Sequence, residues 1–336
     1  MPSKHAVGSS ILPGIIKAVL FGQSFFIMKN QIEYSNGIFY SANDFFKQKF
    51  GSKVYKVSIN ASCTCPNRDG SKGFGGCIFC GETGSGDFVS NGNLPIFQQI
   101  ENGILLVKNK IRTEKYIAYF QNFTSTYGDE YLLYKKYIEA IKFPGVVGIS
   151  IATRPDCISE KMFSYLKSVA EKTFLMIELG FQTSKAESVK YIRRMYENSV
   201  FDECVLKIKQ LIPNAHVVSH LIFGLPYEDE KDMISSVKYV LNVKIDGIKI
   251  SLLHVLKNTD LAKDYKCGKF ECLEMNEYFK ILGKALKIIP SNIVIHRLTG
   301  DGSKKNLIAP IWSANKKNVW NSMIKYFKEN AIVQGK

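Results

Sequence analysis

Four cysteine residues, Cys63, Cys65, Cys77 and Cys80, lie close together in the first third of the chain. The segment between them is rich in glycine and proline, which allows the backbone to fold tightly around a small inorganic centre. Thiolates are ligands of structural zinc and of iron–sulfur clusters alike, so the ligand type does not separate the two. Structural zinc takes four protein ligands, whereas a cluster that does chemistry needs three thiolates and leaves one iron open. The loop is therefore predicted to hold a metal centre of one of these kinds.

The motifs around these cysteines resemble a known family. Residues 56–88, which contain CPNRDG, GGCIFC and GSGDF, are similar to the cluster loop of the YhcC/YtqA family of radical S-adenosylmethionine proteins, which is related to the radical domain of the elongator catalytic subunit. The similarity continues in order from about residue 37 to the end of the chain. Its further motifs are AYFQNFTSTY (118–127), SIATRPDC (150–157), ELGFQT (178–183), HLIFGLP (220–226), IKISLLHVLKNTDLA (248–262), HRLTGDG (296–302) and LIAPIW (307–312).

The resemblance implies two cofactors, a 4Fe-4S cluster and S-adenosylmethionine. It implies that Cys65, Cys77 and Cys80 bind the cluster and that the amino and carboxylate groups of S-adenosylmethionine bind its open iron. An electron from a donor such as flavodoxin or ferredoxin would then cleave the sulfonium and release a 5'-deoxyadenosyl radical that abstracts a substrate hydrogen. The family usually has an aromatic residue where this chain has Cys63, so a ligand exchange or a zinc site of four thiolates stays open.

Apolar runs alternate with amphipathic helical stretches from residue 53 onward, and the runs are nearly continuous, as in Val146–Ala152. Such runs are typical of parallel strands that are covered on both faces. Six βα units in succession predict an α/β fold, a partial (βα)6 barrel of the TIM type, with a doubly wound open sheet as the alternative. The predicted strands are 53–59, 115–121, 146–152, 173–179, 216–223 and 246–253, and the predicted helices lie near 95–110, 129–142, 159–171, 201–211, 229–242 and 274–289.

One catalytic domain is expected, because no repeat of fixed period and no low-complexity linker interrupts these units. It is expected to span residues 37–290, with the cluster loop at 63–88 and a C-terminal extension, 291–336, that packs on the barrel. Residues 1–36 lie outside the resemblance and are expected to be an N-terminal extension, with Met28 as the start of the working protein. Their apolar stretch is interrupted by Pro13, Lys17 and Gln23, which makes it a poor membrane span.

Polar residues at the carboxyl ends of the predicted strands are candidates for cofactor binding, because reactive groups lie at these ends in parallel βα arrays. The resemblance implies that the second strand end, with Gln121 and Thr124, meets the cofactor's amino group. Thr153 and Arg154 follow the third strand, and Arg154 is suited to bind the cofactor carboxylate or a substrate phosphate. A local pair of Arg154 with Asp156 is the alternative.

Two further strand ends complete the predicted cofactor site. Glu178 lies in an apolar run and needs a partner, for which a ribose hydroxyl, Arg154 or a buried structural ion pair is suitable. Gln182 is expected to assist on the cofactor side, and Gly224 lies in a bend suited to adenine packing against the backbone. No residue is assigned as catalytic.

The charge of the chain points to an anionic partner. Its formal net charge is +15, and only six of its 45 basic residues are arginine, so the excess is lysine, which binds phosphate as a point charge. Nucleic acid is the commonest partner of such a field, and the alternative is a merely lysine-rich surface. Clustered thiols in a chain of this length favour a reducing cytoplasm over an oxidising compartment.

The leading interpretation is a radical S-adenosylmethionine enzyme that acts on tRNA. The resemblance points to wobble uridine and to a change such as carboxymethylaminomethyluridine to aminomethyluridine. Two alternatives remain: a zinc-stabilised nucleic-acid-binding module, and a radical enzyme with a non-RNA substrate. Cys267 and Cys272 are too few for a second three-thiolate cluster, which disfavours methylthio transfer.

Overall fold

A curved sheet of seven parallel strands is the frame of the protein in the computed structural model, which describes residues 34–81, 84, 92–108, 113–300 and 304–336. Neighbouring strands are parallel throughout. Taken in their order across the sheet, the strands are β1 (Tyr55–Ile59), β2 (Tyr116–Phe120), β3 (Val146–Thr153), β4 (Phe174–Gln182), β5 (His216–Phe223), β6 (Gly247–Leu252) and β8 (Val294–Arg297). The short strands β7 (Val255–Leu256) and β9 (Leu307–Ala309) pair antiparallel outside this sheet.

Helices connect successive strands and cover the outer face of the sheet. Outward residues such as Ile149, Ile177 and Ile250 join the main hydrophobic core together with helix residues such as Leu166 and Val237. The helices are α1 (Ala42–Phe50), α2 (Ile96–Val107), α3 (Glu130–Ile141), α4 (Glu160–Ala170), α5 (Ala186–Tyr191), α6 (Asn198–Leu211), α7 (Glu230–Leu241), α8 (Asp260–Lys266), α9 (Met275–Ile288) and α10 (Lys316–Glu329).

Helix α1 packs against the inner face of the sheet near the amino ends of its strands. Its start is fixed by a capping box, in which the side chains of Ser41 and Asp44 bond each other's backbone N–H groups, and it ends at Gly51 with φ of 73°. Phe46 of α1 is buried against Ile117 and Met176, which are inward residues near the amino ends of β2 and β4. The barrel interior at this end is therefore filled by the side chains of α1, which pack beside the paired histidines His216 and His296.

The predicted partial barrel is confirmed, and the sheet contains all six predicted strands. A seventh strand, β8, pairs with β6 within the segment that was expected to be an extension. It is only four residues long and carries two polar residues, which is why its pattern was too weak to predict a strand. Strands β3 and β4 also run further than predicted, to Thr153 and Gln182.

Several sequence predictions concern residues outside the described part of the chain. These include the proposals for residues 1–33, the glycine-rich end of the cluster loop at 85–88, and residues 301–302 of the HRLTGDG motif. The domain boundaries at residues 36 and 290 stay predictions. None of the helices in the described segments has the length and hydropathy needed to cross a membrane.

Candidate functional site

A cavity of about 280 Å³ lies where the strands reach their carboxyl ends. Six strands or the residues directly after them contribute to its wall, and the cysteine loop closes one side. Of the predicted site residues, the cavity is lined by Cys65, Cys77, Cys80, Gln121, Thr124, Thr153, Arg154, Glu178 and Gln182.

The cysteine loop presents three of its four thiols to this cavity. The wall is lined by Cys65, Cys77 and Cys80, and electrostatic repulsion by the other two thiolates helps to raise the pKa of Cys77. Burial raises the pKa of the Cys77 thiol to about 12, so ionisation of this group requires a bound cation. Cys63 instead packs against the main hydrophobic core, and burial raises its pKa to about 12 as well. Three of the four cysteines of the loop therefore line the cavity, and the fourth, Cys63, does not.

Hydrogen bonds hold the cysteine loop in shape. The Asn67 side-chain amide donates to the Cys77 sulfur at 3.6 Å and to the Arg193 carbonyl at 2.6 Å. Arg68 donates to the carbonyl oxygens of Cys80 and Gly81. Gly76 adopts φ of +80°, and a Cβ there would lie 3.0 Å from the Arg68 Nε atom, so glycine permits this close approach.

The donor set of the loop fits a cluster with one open iron. Within the described segments, no three His, Cys, Asp or Glu side chains converge as ligands of a single metal ion do. A cluster makes a different demand, because each thiolate binds its own iron and the sulfurs need only face a common space. The amide donor at Cys77 is of the kind that tunes such thiolates. A zinc site of four thiolates would require Cys63, which does not line the cavity.

The end of β4 combines a strained residue with a glycine that makes room for it. Gln182 has φ of 65°, in the left-handed region that non-glycine residues seldom adopt. A Cβ at Gly180 would lie 2.6 Å from the Gln182 Nε2 atom. Strain of this kind clusters at ligand sites, and here it directs an amide toward the cavity wall that the sequence predicted.

Arg154 forms the local pair that the sequence allowed as an alternative to cofactor binding. Its Nε and Nη2 atoms lie 2.9 Å from the two carboxylate oxygens of Asp156, and Nη2 also donates to the Arg194 carbonyl at 2.8 Å. The guanidinium still lines the cavity. Its position is therefore fixed in advance by Asp156, whose pKa is held below its usual range by Arg154 although burial opposes this.

Gly224 does not line the main cavity. It has φ of +86°, and a Cβ there would lie 3.1 Å from the Leu273 side chain. Its neighbour Ile222 lines the main cavity and also a smaller, largely apolar cavity of about 200 Å³. Phe79, Cys80 and Ser251 are shared in the same way, so the two cavities adjoin.

Glu178 is the centre of a polar layer across the barrel interior. Its Oε1 atom accepts from Lys56 Nζ at 2.6 Å and from Ser150 Oγ at 2.8 Å. Its Oε2 atom lies 2.9 Å from Tyr119 OH, 2.7 Å from His220 Nε2 and 3.2 Å from Lys249 Nζ. We call these residues together with Arg297 the floor cluster; its members are Lys56, Tyr119, Ser150, Glu178, His220, Lys249 and Arg297.

The floor cluster takes one residue from each strand of the sheet, so it spans the whole interior. The pKa of Glu178 is held well below its usual range by Lys249, Lys56 and His220, although burial opposes this. Burial lowers the pKa of Lys249 to about 7 although Glu178 raises it, and lowers that of His220 to about 4. A buried structural ion pair was one of the alternatives predicted for Glu178, and it forms with Lys56 and Lys249. A pair between Glu178 and Arg154 does not form.

Sequence reasoning missed most of this cluster and one further residue. Lys56, His220 and Lys249 are charged or titratable residues at inward positions of largely apolar strands, and their alternation with outward apolar residues was the available signal. Arg194 is fully buried and donates to the carbonyls of Phe181, Thr183 and Tyr196 and to Asn198 Oδ1. An arginine that binds only backbone and amide oxygens gives no pattern in the sequence.

Comparison with known proteins identifies the family. Residues 60–240 match the family model of the Radical SAM superfamily, and residues 245–329 match the Radical_SAM C-terminal domain. The chain is 38% identical to the protein YtqA of Bacillus subtilis (strain 168) over 92% of this chain and 96% of that protein. It is 29% identical to the protein YhcC of Escherichia coli (strain K12) over 85% of this chain and 91% of that protein.

A solved structure shares the fold. The archaeal Elp3 of Methanocaldococcus infernus, with its N-terminus deleted, matches with a TM-score of 0.63 and 19% identity. The match covers 84% of this chain and 64% of that chain. Because the sequence identity is only 19%, the match supports the fold alone. The family models, the relatives and the three-thiol wall of the cavity agree, and the chain belongs to the Radical SAM superfamily, as its resemblance to YhcC and YtqA indicated.

Proposed function

We propose that this radical SAM enzyme holds a 4Fe-4S cluster through Cys65, Cys77 and Cys80 and binds S-adenosylmethionine in the strand-end cavity. The observation that carries the proposal is the arrangement of the thiols, three on one cavity wall and Cys63 packed against the hydrophobic core. When bound, the cluster and cofactor supply the reductive cleavage of a sulfonium and hence a 5'-deoxyadenosyl radical. The donor, flavodoxin or ferredoxin, and a cytoplasmic location belong to the proposal, because cluster thiolates persist in a reducing compartment.

The residues of this chain place the cofactor and exclude water. Gln121 and Thr124 offer acceptors to an amino group, and Thr153 is held beside them by a 2.6 Å contact between its hydroxyl and that of Thr126. Arg154, fixed by Asp156, offers charge to a carboxylate, and Gln182 offers its amide to ribose hydroxyls. The apolar cavity between Phe79 and Ile222 suits an adenine base, whereas Gly224 shapes the turn behind it.

We propose that the substrate is tRNA and that the reaction remodels a wobble uridine, as in conversion of carboxymethylaminomethyluridine to aminomethyluridine. The net charge of +15 supports an RNA partner. The resemblance of the motifs to the radical domain of the elongator catalytic subunit supports a wobble-uridine target. A radical enzyme with a non-RNA substrate is the alternative.

The test uses protein reconstituted anaerobically with iron and sulfide, bulk tRNA from cells that lack this gene, and a chemical reductant. We expect mass spectrometry of the digested nucleosides to show loss of carboxymethylaminomethyluridine and gain of aminomethyluridine, with Cys80→Ala as the inactive control. Cofactor cleavage without any change in the nucleosides would refute the tRNA substrate. Binding of tRNA that does not weaken as salt is raised would favour the non-RNA alternative.

A further inference from the structure

The C-terminal part of the chain is strongly basic. From residue 278 to residue 328 the sequence has ten basic residues and a single acidic residue, Asp301, whereas the whole chain has 45 basic and 30 acidic residues. Much of the excess positive charge is therefore concentrated in this segment. A concentration of one sign of charge creates a local field that attracts a partner of the opposite sign.

Five exposed lysines lie beside the mouth of the barrel, the end at which the strands reach their carboxyl termini. We call them the mouth patch; its members are Lys257, Lys304, Lys305, Lys316 and Lys317. Lys257 directly follows Leu256, which lines the smaller, apolar cavity of the candidate site. The Lys257 backbone N–H group donates to the Asn306 carbonyl at 2.8 Å, so Lys257 lies beside the segment that contains Lys305.

The start of helix α10 belongs to the same surface. Lys316 lies around a small cavity with Thr299 and Gly300, which follow β8. Burial lowers the pKa of Lys316, and the nearby charge of Arg297, which lines the main cavity, lowers it further. Lys316 and Lys317 are the first two residues of α10, and no acid lies in its first turn. Cations at this end interact unfavourably with the helix dipole, so helix stability does not explain these two lysines.

The mouth patch differs from other cations of the surface in its lack of acidic partners. Four of its members form no ion pair with an acid in the described segments, namely Lys257, Lys304, Lys305 and Lys317. Other cations that follow the carboxyl ends of strands are paired, in the pairs Lys72–Asp156, Lys185–Asp232, Arg193–Asp260 and Lys269–Asp264. A merely lysine-rich surface does not explain why unpaired lysines collect in one place.

The position and composition of the mouth patch fit the phosphates of an RNA. An enzyme that acts on a base takes the base out of the stack into a pocket, while the backbone stays outside. The phosphates next to that nucleotide then lie at the rim of the pocket. Lysine binds phosphate as a point charge, which suits a contact that positions the strand. Lysine is depleted in protein–protein interfaces, so the patch favours RNA over an acidic protein.

We infer that the mouth patch binds phosphates of the tRNA backbone next to the nucleotide that enters the cavity. This inference rests on the proposed function, because it names the surface that holds the proposed substrate. Contacts to phosphate carry no base recognition, so the patch contributes affinity and salt dependence but no preference for a sequence.

The experiment measures how binding of a tRNA transcript depends on salt, by fluorescence anisotropy, for the reconstituted protein with S-adenosylmethionine present. The mouth-patch variant is Lys304→Gln/Lys305→Gln/Lys317→Gln. Each lost phosphate contact lowers the slope of log affinity against log salt by about 0.7–0.9. We therefore expect the variant to lose about two to three in this slope and to bind at least tenfold more weakly at about 0.15 M salt.

Lysines at the opposite end of the barrel provide the matched control. Lys142, Lys172 and Lys244 are exposed and lie shortly before β3, β4 and β6, hence at the amino ends of these strands. The control variant Lys142→Gln/Lys172→Gln/Lys244→Gln loses the same charge and should keep the wild-type slope. If either triple variant does not fold, Lys305→Gln and Lys172→Gln replace the two, with expected losses of slope of about one and zero.

Each outcome decides the inference. Equal losses of slope in the two triple variants would overturn it, because binding would then depend on net charge alone, and so would the absence of any loss in the mouth-patch variant. A loss seen with a tRNA that has a wobble uridine, but not with one that has a wobble guanosine, would overturn the assignment to phosphates. Unchanged tRNA binding with slower reduction of the cluster by flavodoxin would overturn it in favour of an electron-donor surface.

Two results separate this inference from the proposed reaction. If the mouth-patch variant loses binding as expected but the wild type changes no nucleoside of bulk tRNA, the reaction is refuted and the RNA-binding surface stands. If the wild type converts carboxymethylaminomethyluridine and both triple variants bind tRNA as the wild type does, the surface is refuted and the reaction stands.

Discussion

Replacing Glu178 by glutamine should destabilise the protein, whereas the same replacement at Glu228 should stabilise it. Glu178 has no side-chain exposure and accepts hydrogen bonds from five side chains, two of them lysines. Glutamine removes the counter-charge and turns an N–H2 group toward donors. Removal of one partner from a buried ion pair typically costs about 3–5 kcal/mol in the free energy of unfolding.

The expected cost for Glu178→Gln at pH 8 lies at the lower end, about 3 kcal/mol. The pKa of Lys249 is already about 7, and loss of Glu178 lowers it further, so Lys249 is neutral at pH 8. In the unfolded chain this lysine stays protonated. As the pH falls below 8, the unfolded state of the variant therefore binds more protons than its folded state, which lowers the free energy of unfolding of the variant. The difference from the wild type should therefore be larger at pH 6 than at pH 8.

Glu228 provides the matched control. Its two carboxylate oxygens are buried, and neither accepts a hydrogen bond of good geometry within the described segments. Burial raises the pKa of Glu228 to about 7, so its contribution to stability is complete below pH 4.5 and is lost as the pH rises through 7. Glu228→Gln should therefore raise the free energy of unfolding by about 1–3 kcal/mol at pH 8 and by less at pH 5.

The assay is urea unfolding of both variants and the wild type, without cluster, followed by circular dichroism at pH 5, 6 and 8. A change of less than about 1 kcal/mol for Glu178→Gln would refute the assignment of a charged floor cluster. If the free energies of unfolding of Glu178→Gln and Glu228→Gln changed in the same direction, the claim that Glu178 is paired and Glu228 is not would be refuted.

Two further substitutions test the packing around the site, both by urea unfolding. Arg194→Lys should lose about 3 kcal/mol, because three N–H donors replace a guanidinium that makes five hydrogen bonds in a buried position; an unchanged midpoint would contradict this. Gly148→Ala should lose about 1–3 kcal/mol, because its Cβ would lie 2.9 Å from the Phe174 carbonyl oxygen, which cannot move without breaking the sheet. Gly81→Ala, whose methyl group would lie within 4 Å of no atom in the described segments, is the control and should be neutral; equal losses for both alanine variants would refute the steric reason.

The sequence was sufficient to predict the barrel and the cysteine loop, because both depend on local patterns. Apolar runs indicate buried parallel strands, and clustered cysteines indicate a candidate metal-binding loop. Gln121, Thr153, Arg154 and Gln182 lie at or directly after the carboxyl ends of strands. The rule that parallel strands end on one face brings them together, and the role of Gln121 came in addition from the family resemblance.

The features that the sequence did not predict depend on contacts between residues that are far apart in the chain. Strand β8 is short and polar, and its place beside β6 is set by pairing. Lys56 and Glu178 are 122 positions apart in the chain and meet only because β1 and β4 curve toward one interior. No sequence periodicity predicts such a contact. Gly224 lies in the predicted turn after β5, but it does not line the main cavity.

The most direct test of the account is the iron content of single-cysteine variants after anaerobic reconstitution with iron and sulfide. The wild type and Cys63→Ala should each bind about four irons per chain, whereas Cys65→Ala, Cys77→Ala and Cys80→Ala should not retain the cluster. Loss of iron from Cys63→Ala, or a wild type that binds zinc through all four thiols and takes up no cluster, would contradict the account.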